Sequence, residues 1–261
     1  PPRATQGVSS AASDVYKRQF LGIGLLLLGF AFKVALAPFH MWSPDVYQGA
    51  PTTVTGFLCT APKAAGFGAL MRIFMVAFPE IFSGWENLFW VLAALTITVG
   101  NISALVQSNV KRMLAFSSVS HAGYLVMGVL VNDGASISAI LFYLVVYSTM
   151  NLGAFAIISL VEKDEQEVAF KDYRGMASRN PLLSVAMALF MISLAGFPPT
   201  AGFIAKYGLF SAAIENGYVW LVIISLKPRF YLLQMIACLK NSYIFIWFTN
   251  YLNACWNTIT C

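Results

Sequence analysis

Charge is scarce in this chain. Only 10% of its 261 residues are Asp, Glu, Lys or Arg, where a soluble globular domain carries about 25%. The apolar residues, 59% of the total, come in long runs. That combination excludes an ordinary soluble domain and points to an all-α, polytopic transmembrane helix bundle. The four cysteines, Cys59, Cys238, Cys255 and Cys261, form no CxxC pair and no Cys/His cluster of ligand spacing, which argues against zinc or iron–sulfur ligation. No GxGxxG occurs. Gly22/Gly24 and Gly66/Gly68 lack a third glycine and lie in apolar stretches, so they read as close-packing residues. The net charge of +5 sits in short loops and inside spans, with no aromatic-interleaved basic patch, so nucleic acid is not an expected partner. No Ser/His/Asp or Cys/His constellation points to covalent catalysis.

What is present is lysine in costly places. The predicted spans are Phe20–Met41, Val54–Phe78, Leu88–Gln107, Met113–Val131, Ile137–Val161, a 33-residue apolar run from Leu182 to Ile214, and the start of a seventh at Tyr218–Leu226. A span needs about 20 residues, so the sixth run is broken, tilted or unwound. Lys33, Lys63 and Lys206 lie inside these spans. A charge near a bilayer centre costs roughly 2.5–3.5 kcal/mol on insertion scales. Lys33 is about nine residues, or roughly 13 Å, from the interfacial anchor Trp42, beyond the reach of snorkelling. Lysine, unlike arginine, can shed its proton when desolvated, so each is either a proton relay site or an inert cation paired with a buried oxygen.

The prolines bear on that choice. Pro38 cannot donate to the Val34 carbonyl, and Pro198 and Pro199 leave the carbonyls of Leu194 and Ala195 without donors. Such groups need a cavity, water or protein partner inside a membrane. A lysine beside each of two interrupted spans is also the pattern of inverted-repeat transporters. His121, in SSVSHAGY, suits proton relay or a hydrogen bond across a helix interface. His40, in PFHMWSPD, is a proton access group or an interfacial histidine. No span interior holds Asp or Glu, so any lysine relay lacks its usual carboxylate partner within this sequence.

Crossing at each span puts 42–53, 108–112 and 162–180 on one side, with Lys111, Arg112, Lys163, Lys171, Arg174 and Arg179. It puts 79–87 and 132–136 on the other, with Glu80, Glu86 and Asp133 and no Lys or Arg. Six cations against none makes the first side cytoplasmic. The 162–180 loop is expected to be a solvated linker. Residues 1–19 are polar, lack helical periodicity and contain no signal-peptide core, so they are expected to be an artefactual tail. Residues 20–226 form the membrane domain, and 227–261 a divergent tail with room for one more span.

The stretches FKVALAPFHMWSPDVYQGAPTTVTGFL, PKAAGF, NISALVQSNVKRMLAFSSVSHAGYL, MNLGAFAII and DYRGMASRNPLLSVAMALFMISLAGFPPTAGFIAKYGLF strongly resemble the subunit N family of proton-pumping NADH:quinone oxidoreductases (respiratory complex I). PDVYQGAP favours N over its L and M paralogues. The resemblance covers roughly residues 20–226. It implies an antiporter-like inverted repeat with discontinuous helices, about seven spans here from a family of about fourteen. It also implies proton transfer through Lys33, Lys63, His121 and Lys206. It implies that this chain binds no cofactor, while the complex uses NADH, FMN, Fe-S clusters and quinone. The implied partners are L- and M-type and small membrane subunits and the lipid bilayer, in a bacterial inner membrane. The missing family glutamate, partner of Lys33, would lie on a preceding helix, and the chain is expected to be a fragment. Two rivals stay open: a subunit of a multi-subunit cation/proton antiporter, and a purely structural membrane scaffold.

Overall fold

The computed structural model describes residues 4–78, 84–162, 173 and 175–226, with side chains from residue 18 onward. Glu80, Lys163, Lys171, Arg174 and the tail 227–261 with three of the cysteines lie outside the described residues.

Among the described residues the fold is helical. Helix α1 spans Ala4–Lys33, α2 Trp42–Gly49, and α3 Thr52–Met71, continued by a π-helical turn, Arg72–Ala77. Then follow α4 (Glu86–Leu105), α5 (Val110–Val131) and α6 (Gly134–Val161), the three helices long and apolar enough to cross a membrane. The short α7 (Met176–Arg179) precedes α8 (Pro181–Ala195), α9 (Ala201–Glu215) and α10 (Val219–Leu226). The apolar run 182–214 is therefore two half-helices, α8 and α9. The break is built from Gly196, whose φ of 80° suits glycine, and the two prolines after it.

The start of the chain is helical as well. Helix α1 runs back to Ala4 without a boundary at Phe20. Polar composition does not prevent a helix from continuing through its own backbone hydrogen bonds, and periodicity reports only burial.

Helix α5 is the axis of the bundle: every residue from Val110 to Val131 except Arg112 is buried. It approaches α4 at two glycines. A Cβ at Gly100 would lie 2.5 Å from Ser120 Oγ, and one at Gly123 would lie 2.6 Å from Ile97 Cγ1. Membrane helices pack through such small residues, because lipid supplies no hydrophobic drive between helices.

Polar contacts gather the described loop residues at the two ends of the bundle. Arg112 Nη1 donates to Asp45 Oδ1 at 2.8 Å and Gln48 Oε1 at 2.9 Å, and Lys111 Nζ meets Glu162 Oε1 at 2.5 Å. The Thr52 hydroxyl donates to the other Glu162 oxygen. This ties 42–53, 108–112 and residue 162 at one end. At the other end Asn216 Nδ2 donates to Asp133 Oδ2 at 3.1 Å. Asp133 also caps α6 by accepting from the Ser136 amide, which holds its carboxyl below the usual carboxylate value. Glu162 corrects the solvated-linker expectation at that loop's first residue. Its side chain is 8% exposed because Lys111 and Thr52 enclose it.

The break between α8 and α9 is tight. A Cβ at Gly202 would lie 1.8 Å from the Ser193 carbonyl oxygen. Backbone must move to make room, so Gly202→Ala is expected to destabilise the fold by about 1–3 kcal/mol. Gly208→Ala is the control, since its Cβ meets only Ala139 Cβ at 3.6 Å. Thermal unfolding of the two variants in detergent checks the difference.

Candidate functional site

The site is assembled on one face of α5. Ser118, His121 and Tyr124 recur every three residues, so they share a face and span about 9 Å along the axis. Each meets a group from another helix.

At the first position is Lys63 of α3, 2% exposed. Its Nζ donates to the Ser118 carbonyl and Oγ, both at 2.7 Å. Three donors and no acceptor suit the ammonium to this pair of oxygens. The Ser118 hydroxyl donates onward to the Ala115 carbonyl at 2.8 Å.

At the second is His121, 4% exposed. Its Nδ1 lies 2.5 Å from Tyr143 Oη of α6. The rings of Tyr147, Tyr124 and Tyr143 surround the imidazole, with centroids at 5.2, 5.7 and 5.9 Å. Tyr147 in turn donates to the Cys59 carbonyl of α3 at 3.3 Å.

At the third is Tyr124, whose ring centroid lies 5.2 Å from Lys206 Nζ, within cation–π range. Lys206 Nζ donates to the carbonyls of Leu194 at 2.8 Å and Ala195 at 3.1 Å. These are the two oxygens that Pro198 and Pro199 leave without helical donors. The half-buried lysine on α9 thus caps the cut end of α8.

Lys33 is placed differently from expectation. It is exposed at the end of α1, on a face that no described residue covers. Hydropathy measures position along a span and not which side of the helix is covered. Its stem still runs beside α3: a Cβ at Gly66 would lie 3.8 Å from Lys33 Cγ and 2.7 Å from Val34 Cγ1. The interruption near Pro38 also begins earlier than expected. Helix α1 stops at Lys33 because Ala35 takes a φ of 60°. Residues 34–37 are fully buried in protein, where Trp42 Nε1 donates to Phe32 O at 2.9 Å and the Ala37 amide to Thr96 Oγ1 at 3.0 Å. Irregular backbone at membrane depth requires that kind of cover.

His40 is 7% exposed, packed edge-on to Phe116, and its Nδ1 has no hydrogen-bond partner among the described residues. It is not joined to the row through His121 by any described hydrogen bond.

Two features escaped the sequence reading. Pro62, next to Lys63, sits inside α3 and removes the donor for the Leu58 carbonyl. Tyr47 of α2 replaces it, donating to that oxygen at 3.1 Å. The other is the tyrosine pair 143/147. Two tyrosines one turn apart in an otherwise apolar span were the visible signal.

The sequence pattern of the NADH:quinone oxidoreductase/Mrp antiporter transmembrane family matches residues 6–230. The match therefore includes part of the segment expected to be an artefactual tail. The chain is 52% identical over 222 residues to NADH-quinone oxidoreductase subunit N of Trichlorobacter lovleyi, covering 83% of this chain and 46% of that protein. It thus spans about half the length of such relatives. Among solved structures it is similar to a chain of respiratory complex I from Thermus thermophilus, with TM-score 0.69 and 39% identity over 87% of this chain and 48% of that one. It is also similar to a chain of the Mrp complex from a Dietzia species, with TM-score 0.75 and 28% identity over 84% and 40%.

Proposed function

The chain belongs to the transmembrane family shared by NADH:quinone oxidoreductases and Mrp antiporters, and from that membership we propose that it is the proton-translocating part of an N-type membrane subunit of an NADH:quinone oxidoreductase. The carrying observation is the single face of α5 on which Lys63, His121 and Lys206 converge. Lys63 and Lys206 act as temporary proton stores, each seated on protein oxygens, with His121 between them. His121 lies three residues from Ser118, which seats Lys63, and three from Tyr124, which faces Lys206. Lys33 extends the row along α3 towards the uncovered face of α1, and His40 serves as an access group at the break after α1.

Electron transfer from NADH through FMN and Fe-S clusters to quinone takes place on other subunits. Its free energy reaches this chain as shifts in charge and helix position. The neighbours are L- and M-type and small membrane subunits, in a bacterial inner membrane, with the Arg112–Asp45 end cytoplasmic.

The test is proton uptake per NADH oxidised by the assembled complex in proteoliposomes, with His121→Gln in the full-length subunit. Removing a positioned acid–base group slows the step it serves roughly 10²–10⁴-fold, so pumping should collapse. Parent-level pumping would refute the relay.

A second reading is cation/proton exchange, since the fold is shared with a chain of the Mrp complex. Sodium-driven proton movement in vesicles, independent of NADH, would select it.

A further inference from the structure

Tyr143 has no role in the row of stores just described, yet it makes the only described hydrogen bond to His121. The Nδ1–Oη separation is 2.5 Å, and the two residues are 4% and 2% exposed. The imidazole cannot swing freely, because Tyr124, Tyr143 and Tyr147 enclose it. Which of its two nitrogens exchanges protons is therefore set by what holds the other.

We propose that Tyr143 is a positioning residue: its hydroxyl oxygen accepts from His121 Nδ1–H and leaves Nε2 as the nitrogen that takes up and releases the travelling proton. This rests on the relay reading. With Nδ1–H bound to Tyr143, the neutral imidazole has a free lone pair at Nε2. A proton arriving there forms the imidazolium, Nδ1 keeps its bond throughout, and the same proton leaves from Nε2. No electron moves and no other group is consumed. The opposite arrangement, with the tyrosine donating to Nδ1, would place the lone neutral proton on Nε2. The only free lone pair would then lie under the tyrosine, and the row would be blocked. A tyrosine oxygen fits this post because it stays neutral and rigid, while a carboxylate there would trap the imidazolium as an ion pair.

The experiment uses the assembled complex in proteoliposomes, with proton uptake per NADH as the readout. Tyr143→Phe keeps the ring and removes the oxygen. Its pumping should fall to the level of His121→Gln, and combining the two should bring no further loss. Replacing Tyr143 by O-methyltyrosine, whose ether oxygen can accept at the same place but cannot donate, should restore part of the pumping; a tyrosine needed as a donor to Nδ1 would not be replaced by it. Three results would overturn the proposal. They are parent-level pumping by Tyr143→Phe where His121→Gln fails, an additive loss in the double variant, and loss of assembled complex in Tyr143→Phe. Parent-level pumping by His121→Gln itself would overturn the relay reading instead, and the proposal with it.

Discussion

Lys63→Met is expected to abolish proton pumping while leaving the fold as stable as before or more so. The two halves of that result have one cause. Lys63 is 2% exposed and its ammonium meets two oxygens of Ser118. Taking such a cation out of water costs several kcal/mol, and a well-packed apolar replacement is often neutral or stabilising. Methionine has a similar unbranched length and adapts to irregular space. The Ser118 hydroxyl keeps its bond to Ala115. Function goes the other way, because methionine holds no proton and the step through this position slows roughly 10²–10⁴-fold. Lys63→Arg should not rescue pumping, since guanidinium does not release its proton at working pH. Proton uptake per NADH and thermal unfolding, measured on the same preparations, check both halves. Unchanged pumping would instead favour a structural scaffold.

Lys111→Met should have the opposite signature, a stability loss of about 3–5 kcal/mol from breaking a buried pair on one side. Lys111 and Glu162 are 6% and 8% exposed and 2.5 Å apart, and Thr52 occupies the other carboxylate oxygen. Removing the lysine strands a carboxylate at the junction of α3, α5 and α6. Replacing both members, Lys111→Met with Glu162→Leu, removes the stranded charge and should recover most of the loss. The neighbouring Arg112–Asp45 pair supplies the contrast. Its side chains are 35% and 70% exposed, so Asp45→Asn should cost no more than about 1 kcal/mol. Thermal denaturation of the three variants and the parent in detergent would show the order. A cost for Lys111→Met no larger than that for Asp45→Asn would mean that water reaches Glu162.

Much of the site was legible because its parts are anomalies within apolar runs. Lys63, His121 and Lys206 stand out where charge is expensive, and Pro198-Pro199 marked both the break and the carbonyls that Lys206 covers. The span ends at α4, α5 and α6 followed from hydropathy. Three things did not follow. Lys33 looks as deep as Lys63 on a hydropathy profile, yet it faces outward, because neighbours and not depth decide cover. Glu162 sits in a polar loop by composition, and only the fold brings Lys111 against it. Tyr143 and Tyr147 mark one face of their span by lying one turn apart, but that His121 packs against that face appears only when α6 is laid beside α5. Long-range pairs of this kind leave no trace in local pattern.

The seat of Lys206 has a mechanical consequence. Its ammonium clamps the last two carbonyls of α8 from a position on α9, so one side chain bolts two half-helices together. The cut end of a helix carries about half a negative charge, and bonds from an ionised donor are roughly twice as strong as neutral ones. On the relay reading proposed above, departure of the proton would slacken the bolt and remove the countercharge at the same moment. The joint would then be stiff when loaded and pliant when empty, coupling proton occupancy to the hinge between the two half-helices.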